Sequence, residues 1–275
     1  MTPNSIGVCS WSIDRHDAIA AIRRAGELGF PVIQVGFFTT EALHSAKSIR
    51  IAQALRDAGR SLAGVFLAFE GEDYSSVSRI AETGGFAPDD LAESRMELVR
   101  RAVALTASLN TRSLAIHAAT IPVDAASPLY RKLLDRVGRA ADIAEASGLN
   151  LSLESGREPM DALLTFIDAL RRPNLAINFD PANLVMYGVD EPAKTVMKLK
   201  GRIDGVHLKD AKRSERPGVM LGTVAPIGTG DAEIPRVISK LRIIGYDGPL
   251  LIEVKGGENL QPLRDAGAYL RTLLG

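Results

Sequence analysis

The sequence predicts an α/β fold of the closed (β/α)8 TIM-barrel type, formed as a single domain over residues 1–275. Three observations carry this reading. Short apolar runs bounded by Gly, Pro, Asn or Asp alternate with longer segments of helical period, and the alternation repeats eight times. A chain of 275 residues has the length that such a barrel needs, typically about 250. No linker, low-complexity tract or shift in composition divides it. Strict alternation of eight strands with eight helices favours closure over an open sheet.

The elements follow in order. A strand at 6–11 (IGVCSW) leads to a helix at 16–29 that closes on AGELGF. The second strand, 32–37, precedes a helix at 40–59 ending in RDAGR, and the third, 62–69, precedes one at 89–109. The fourth pair is 113–118 with 128–147, closing on EASGLN, and the fifth is 149–154 with 159–171. Then come 175–180 with 191–200, 203–209 with 233–245 (closing on RIIGYDG), and 249–254 with 259–274. The glycines in those closing strings suit a left-handed helix cap. Two strand-to-helix connections, 70–90 and 211–231, are too long for simple turns. Both follow strands, which places them on the C-terminal face of a barrel, where long loops are usually functional.

Bulk properties narrow the function. Hydrophobic content of 46% and charged content of 24% describe a chain with a large core. The 33 basic and 33 acidic residues cancel, and no basic run exceeds two residues, so no stripe is available for a nucleic-acid backbone. The start, MTPNSIGVCSW, lacks the basic and apolar regions of a secretory signal. No stretch approaches the roughly 18 apolar residues of a membrane span. The lone Cys9 forms no internal disulfide, which fits a reducing cytoplasm. The expectation is a cytoplasmic protein with a small-molecule partner, without nucleic-acid or membrane partners.

The chemistry lies in the second half. Glu154, Asp180, His207 and Glu253 each end an apolar run: LNLSLES, LAINFDPAN, IDGVHLKD and GPLLIEVK. Side chains alternate across a strand, so Asn150, Ser152 and Glu154 share one face while Leu149, Leu151 and Leu153 share the other. The leucines suit the helix-facing side, which leaves Glu154 on the inner rim. Asn178 with Asp180, His207 with Lys209, and Leu251 with Glu253 are in phase in the same way. Each residue alone reads equally well as a helix cap or structural ion pair. Together, on four consecutive strands, three carboxylates would repel one another unless protonated or bound to a cation. Three carboxylates and an imidazole form a hard donor set for a divalent metal.

The strings LSLES, FDPANLVMYG, GVHLKDA, IGTGD and GYDGPLLIEV resemble the sugar-phosphate isomerase/epimerase family, the xylose-isomerase-like TIM barrels. The resemblance covers nearly the whole chain and is specific from about residue 149 onward. It implies one divalent metal ion (Mn2+, Co2+ or Mg2+, with Zn2+ also compatible) held by Glu154, Asp180, His207 and Glu253. It further implies a sugar-like substrate and a cis-enediolate mechanism in which Glu154 and Glu253 are the catalytic acid/base pair. Asp180 and His207 would then serve as metal ligands only. The ketose 3-epimerase branch usually carries a histidine three residues after the metal aspartate, whereas Asn183 stands here. Members often form dimers or tetramers, so a homo-oligomer is compatible.

Further candidates for substrate binding are His117, Asn183, Lys209, Asp210, Trp11 and Phe69. His117 ends the fourth strand in phase with Ala115; Lys209 is in phase with His207 and suits either a substrate oxygen or a rim carboxylate. Trp11, Gln34 and Phe69 end the first three strands and fit a sugar-facing wall, with core filling the alternative for the aromatics. Glu70 heads the first long loop, where solvation is the plainer expectation. Gly228 and Gly230 of IGTGD fit a backbone-donor loop or a simple turn. The alternative functions are a metal-dependent lyase, dehydratase or hydrolase acting on a keto-sugar, and a non-catalytic sugar-binding barrel. A phosphodiesterase of the apurinic-endonuclease type is disfavoured, because it needs several zinc-binding histidines and only His16, His44, His117 and His207 are present.

Overall fold

The computed structural model describes residues 5–39, 43 and 45–275. All eight expected strands form, as β1 (Ile6–Cys9), β2 (Val32–Phe37), β3 (Ser61–Leu67), β4 (Ser113–Ile116), β5 (Asn150–Glu154), β6 (Leu175–Phe179), β7 (Ile203–Leu208) and β10 (Leu250–Ile252). They pair in parallel, in the ring order β1-β10-β7-β6-β5-β4-β3-β2, which closes the barrel. Residues 40–42 and 44, which include the start of the expected second helix and His44, lie outside the described residues.

The helices start and stop where local chemistry dictates. Asp17 caps α1 (Ala18–Glu27) by accepting from the backbone N–H groups of Ile19 and Ala20. After α2 (Ser45–Ala58), α3 (Val77–Thr83) and α4 (Ala92–Ser108) comes α5 (Pro128–Glu145), capped by Ser127 with Pro128 at its first position. It buries a stripe of Leu133, Val137, Ala140, Ala141 and Ala144 against the sheet. The larger of these contribute roughly 1.5–3 kcal/mol each. The helix α6 (Met160–Leu170) is followed by α7 (Pro181–Tyr187), α8 (Pro192–Thr195), α9 (Ile234–Ile243) and α10 (Gln261–Leu274). Leu149, Leu151 and Leu153 belong to the large apolar cluster between barrel and helices, as their phase requires. Inside the barrel, Asp204 on β7 accepts from Asn150 Nδ2 at 3.0 Å and Ser152 Oγ at 2.7 Å, a polar plug beneath the site.

Three features depart from the sequence reading. The expected first strand does not run to Trp11: it ends at Cys9, and Ser10–Ser12 form a 3-10 turn. The reason is that the serine hydroxyls replace the ladder. Ser10 Oγ accepts from Gly36 N and Ser12 Oγ from Val254 N, each at 3.0 Å. Trp11 is thereby laid across Gly36, where an added Cβ would meet the indole at 2.5 Å. The two long loops also carry structure of their own. The first contains α3, and the second forms an antiparallel hairpin of β8 (Asp210–Lys212) and β9 (Thr223–Ala225). The expected helix at 191–200 is split into α8 and a 3-10 turn, Val196–Leu199.

Candidate metal and acid–base site

At the C-terminal mouth of the barrel, Glu154, Asp180, His207 and Glu253 offer one ligand atom each, all within 4.8 Å of one another. Glu154 closes β5, its Oε1 3.1 Å from His207 Nδ1 and its Oε2 2.5 Å from His117 Nε2. Asp180 follows β6 and caps α7, so Oδ1 is committed to the N–H groups of Ala182 (2.8 Å) and Asn183 (3.1 Å). Its other oxygen, Oδ2, is buried and makes no hydrogen bond. Lys209 Nζ lies 2.8 Å from that oxygen, an ion pair out of line for hydrogen bonding.

Behind the ligands, Gln34 Oε1 accepts from His207 Nε2 at 2.7 Å. That bond turns Nδ1 toward Glu154 and toward Glu253 Oε2, 3.4 Å away, which is how supporting groups usually aim a metal-binding histidine. Glu253 Oε1 accepts from Trp11 Nε1 at 3.2 Å, and Oε2 accepts from Lys209 Nζ at 3.2 Å.

Electrostatics follow from this crowding. Burial pushes the Glu154 carboxyl up, but the His117 and His207 imidazoles overcome it and hold the acid well below its usual range. Burial likewise opposes ionisation of Glu253, and Lys209 and His207 pull it down to about 2. Asp180 goes the other way: burial, reinforced by Glu253 and Glu154, outweighs Lys209 and raises it to about 6. Burial disfavours an imidazolium at His207, yet its neighbours Cys9, Glu154 and Glu253 more than reverse this. The three carboxylates thus face one ammonium and one imidazolium, two positive charges against three negative, and a divalent cation would supply the same positive charge. An orphaned carboxylate oxygen and a mixed oxygen–nitrogen donor set fit such an ion.

The remaining candidates separate. Trp11, His117, Asn183 and Lys209 line a cavity of about 500 Å3 above the cluster. Asn183 Nδ2 approaches Glu154 Oε1 at 3.5 Å and Ser155 O at 3.3 Å. Phe69 borders the same cavity, but it belongs to the apolar cluster between barrel and helices and packs on Phe86 at 5.2 Å. The strand register instead gives the wall to Phe66, 5.1 Å from both the Trp11 and His117 rings. Asp210 does not reach the cavity. Its oxygens accept from the backbone N–H groups of Ala211, Gly228, Gly230 and Ala232. The IGTGD segment is therefore a donor loop for its own aspartate, and a Cβ at Gly230 would lie 2.0 Å from Asp210 Oδ1. Glu70 is exposed at the rim.

Sequence reasoning missed Glu72, Tyr74 and Arg157. Tyr74 Oη donates to Glu72 Oε2 at 2.8 Å, accepts from Arg157 Nη2 at 2.9 Å and lies 2.7 Å from His117 Nδ1. For Glu72 and Tyr74 the signal in the sequence was the length of the 70–90 loop, which marks a functional segment without marking its residues; Arg157 follows β5 and carried none.

A closed parallel barrel with this donor set at its C-terminal mouth defines a class of fold suited to polarising an oxygen-rich small molecule. The chain belongs to the xylose isomerase-like TIM barrel family, whose model matches residues 22–273. A ketose 3-epimerase from Arthrobacter globiformis is 28% identical over 128 residues, 42% of this chain and 39% of that protein. The matched region is thus about two fifths of that relative's length. A xylose isomerase domain protein from Planctomyces limnophilus superposes with a TM-score of 0.90 at 28% identity, covering 99% of this chain and 97% of that one. A D-allulose 3-epimerase from Methylomonas sp. shares the fold with a TM-score of 0.73 at 19% identity, covering 99% of each chain.

Proposed function

We propose that this protein is a divalent-metal-dependent epimerase or isomerase of a keto-sugar, with Glu154 and Glu253 as its acid/base pair. The observation that carries the reading is the pair itself. Two carboxylates on strands three places apart in the ring meet at one cavity floor, both held ionised. The ketose 3-epimerase relative supports the substrate class.

Glu154, Asp180, His207 and Glu253 would hold the metal ion, which when bound supplies Lewis-acid stabilisation of negative charge on substrate oxygens. One glutamate takes the proton from the carbon beside the carbonyl, and that C–H electron pair forms the enediolate double bond. The other glutamate takes up a proton from solvent before this step and returns it to the same carbon from the opposite face for epimerisation. Trp11 Nε1 and Lys209 Nζ orient Glu253, while the Trp11 and Phe66 rings supply an apolar wall for sugar C–H groups.

The test is NMR of metal-loaded protein in D2O with free and phosphorylated ketoses. The expected result is deuterium at the carbon next to the carbonyl of an isomer or epimer. Deuterium with loss of water would move the protein to the dehydratases. Bound metal without exchange in any keto-sugar would refute the enediolate reading.

A further inference from the structure

We propose that His117, held by Tyr74 and Glu72, is the positioning residue of Glu154, and that it makes the two proton-transferring glutamates unequal. The inference rests on the acid–base reading above and adds three residues to it. The Glu154 carboxylate is gripped at both oxygens, by His117 Nε2 at 2.5 Å and by His207 Nδ1 at 3.1 Å. The His117 ring is in turn fixed at its other nitrogen, 2.7 Å from Tyr74 Oη and 3.4 Å from Glu72 Oε2. Phe66 packs edge-on against that ring with centroids 5.1 Å apart, which blocks its rotation.

The chain of contacts is anchored at its far end. Glu72 Oε1 accepts from Gly85 N at 2.7 Å, and Arg157 Nη2 donates to Tyr74 Oη at 2.9 Å. Tyr74 shows 44% of its surface, yet its hydroxyl is directed inward onto three site groups. The long loop after β3 therefore sets the geometry of a carboxylate on β5.

Glu253 is held at both oxygens too, but more loosely, with His207 Nδ1 3.4 Å from its Oε2. Its contacts to Trp11 and Lys209 are each 3.2 Å, and its side chain is 19% exposed against 4% for Glu154. A short contact to an ionised acceptor is strong and directional, and preset orientation is worth most where a proton must move between heavy atoms. Loss of the His117 grip should slow transfers made by Glu154 and spare those made by Glu253.

The experiment uses His117→Gln and Tyr74→Phe in the metal-loaded full chain, with each epimer deuterated at the reacting carbon. Both variants should lower kcat by about 10- to 100-fold, with KM nearly unchanged. The primary isotope effect should rise when the reaction runs in the direction where Glu154 removes the deuteron. In the other direction it should fall toward unity, while the starting epimer exchanges its deuterium with solvent. An isotope pattern unchanged from the parent in both directions would reduce His117 to packing and overturn the proposal. So would activity within twofold of the parent.

A second readout needs no turnover. In the metal-free protein, the His117–Glu154 contact should give a strongly downfield imidazole proton that is lost in His117→Gln and displaced in Tyr74→Phe. If the parent protein exchanges no substrate proton, the acid–base reading fails, and this resonance alone decides the positioning. Its absence overturns the proposal.

Discussion

Glu158 offers a sharp test of the electrostatics around the site. Its side chain is almost fully buried behind Arg157, and Oε2 accepts from Ile121 N at 2.9 Å. Burial pushes the carboxyl up to about 7, against the pull of that N–H and of Arg157. A folded-state value above the unfolded one means that the folded protein keeps its proton longer as pH rises. The associated stability is fully present below the unfolded value, near 4.5, and is lost as pH climbs through about 7. Integrating that linkage between pH 5 and pH 8 gives a loss of about 2.5 kcal/mol. Glu158→Gln keeps the shape and the acceptor for Ile121 N but cannot ionise. Urea unfolding of parent and variant at both pH values isolates the effect, because other titrating groups cancel in the double difference. The variant should be within about 1 kcal/mol of the parent at pH 5 and about 2–3 kcal/mol more stable at pH 8. A gap that is the same at both pH values would show that Glu158 is not destabilised by its charge, and the account of this buried acid would be wrong.

Glu154→Gln and Glu253→Gln should each reduce turnover by about 10^3-fold or more with little change in Tm; near-full activity in either removes it from the acid–base pair. His207→Ala should abolish tight metal binding, and Gln34→Leu should weaken it by about 10- to 100-fold through loss of the bond that aims His207, both read by calorimetric titration. Metal affinity should fall as pH is lowered, first because His207, held well above its usual range, must lose its proton to bind a cation, and again through about 6, where Asp180 takes one up; a flat profile would contradict the electrostatics described for the cluster. Asp210→Ala should leave the metal site loaded while hydrogen exchange accelerates at the amides of Gly228, Gly230 and Ala232; unchanged protection there would show that the loop does not depend on its aspartate.

The barrel and its four candidate ligands were legible in the sequence because both are local signals. Apolar runs of strand length fix which face of each strand meets the helices, and phase then carries Glu154 inward with Asn150 and Ser152. A residue at the end of a parallel strand has one destination in a closed barrel, so Glu154, Asp180, His207 and Glu253 converge. Phase fails where the strand stops early. Trp11 sits on a 3-10 turn tied to Gly36 and Val254 by its serines instead of on a strand, and Phe69 lies two residues beyond the end of β3, so the inward position passes to Phe66.

What the sequence alone determined, then, is the alternation of elements, the inner and outer faces of each strand, and the acidic and imidazole groups at the strand ends. Only the tertiary structure decided how those groups are partnered. Asp210 and Lys209 are neighbours in the chain, yet one turns down to hold four backbone N–H groups of its loop and the other turns into the carboxylate cluster. Glu72 and Tyr74, from the loop after β3, and His117, from the end of β4, are brought to Glu154 at the end of β5. Hydrogen-bond partners so far apart in sequence are selected by packing in three dimensions, where an unpaired buried polar group costs more than any local preference can recover.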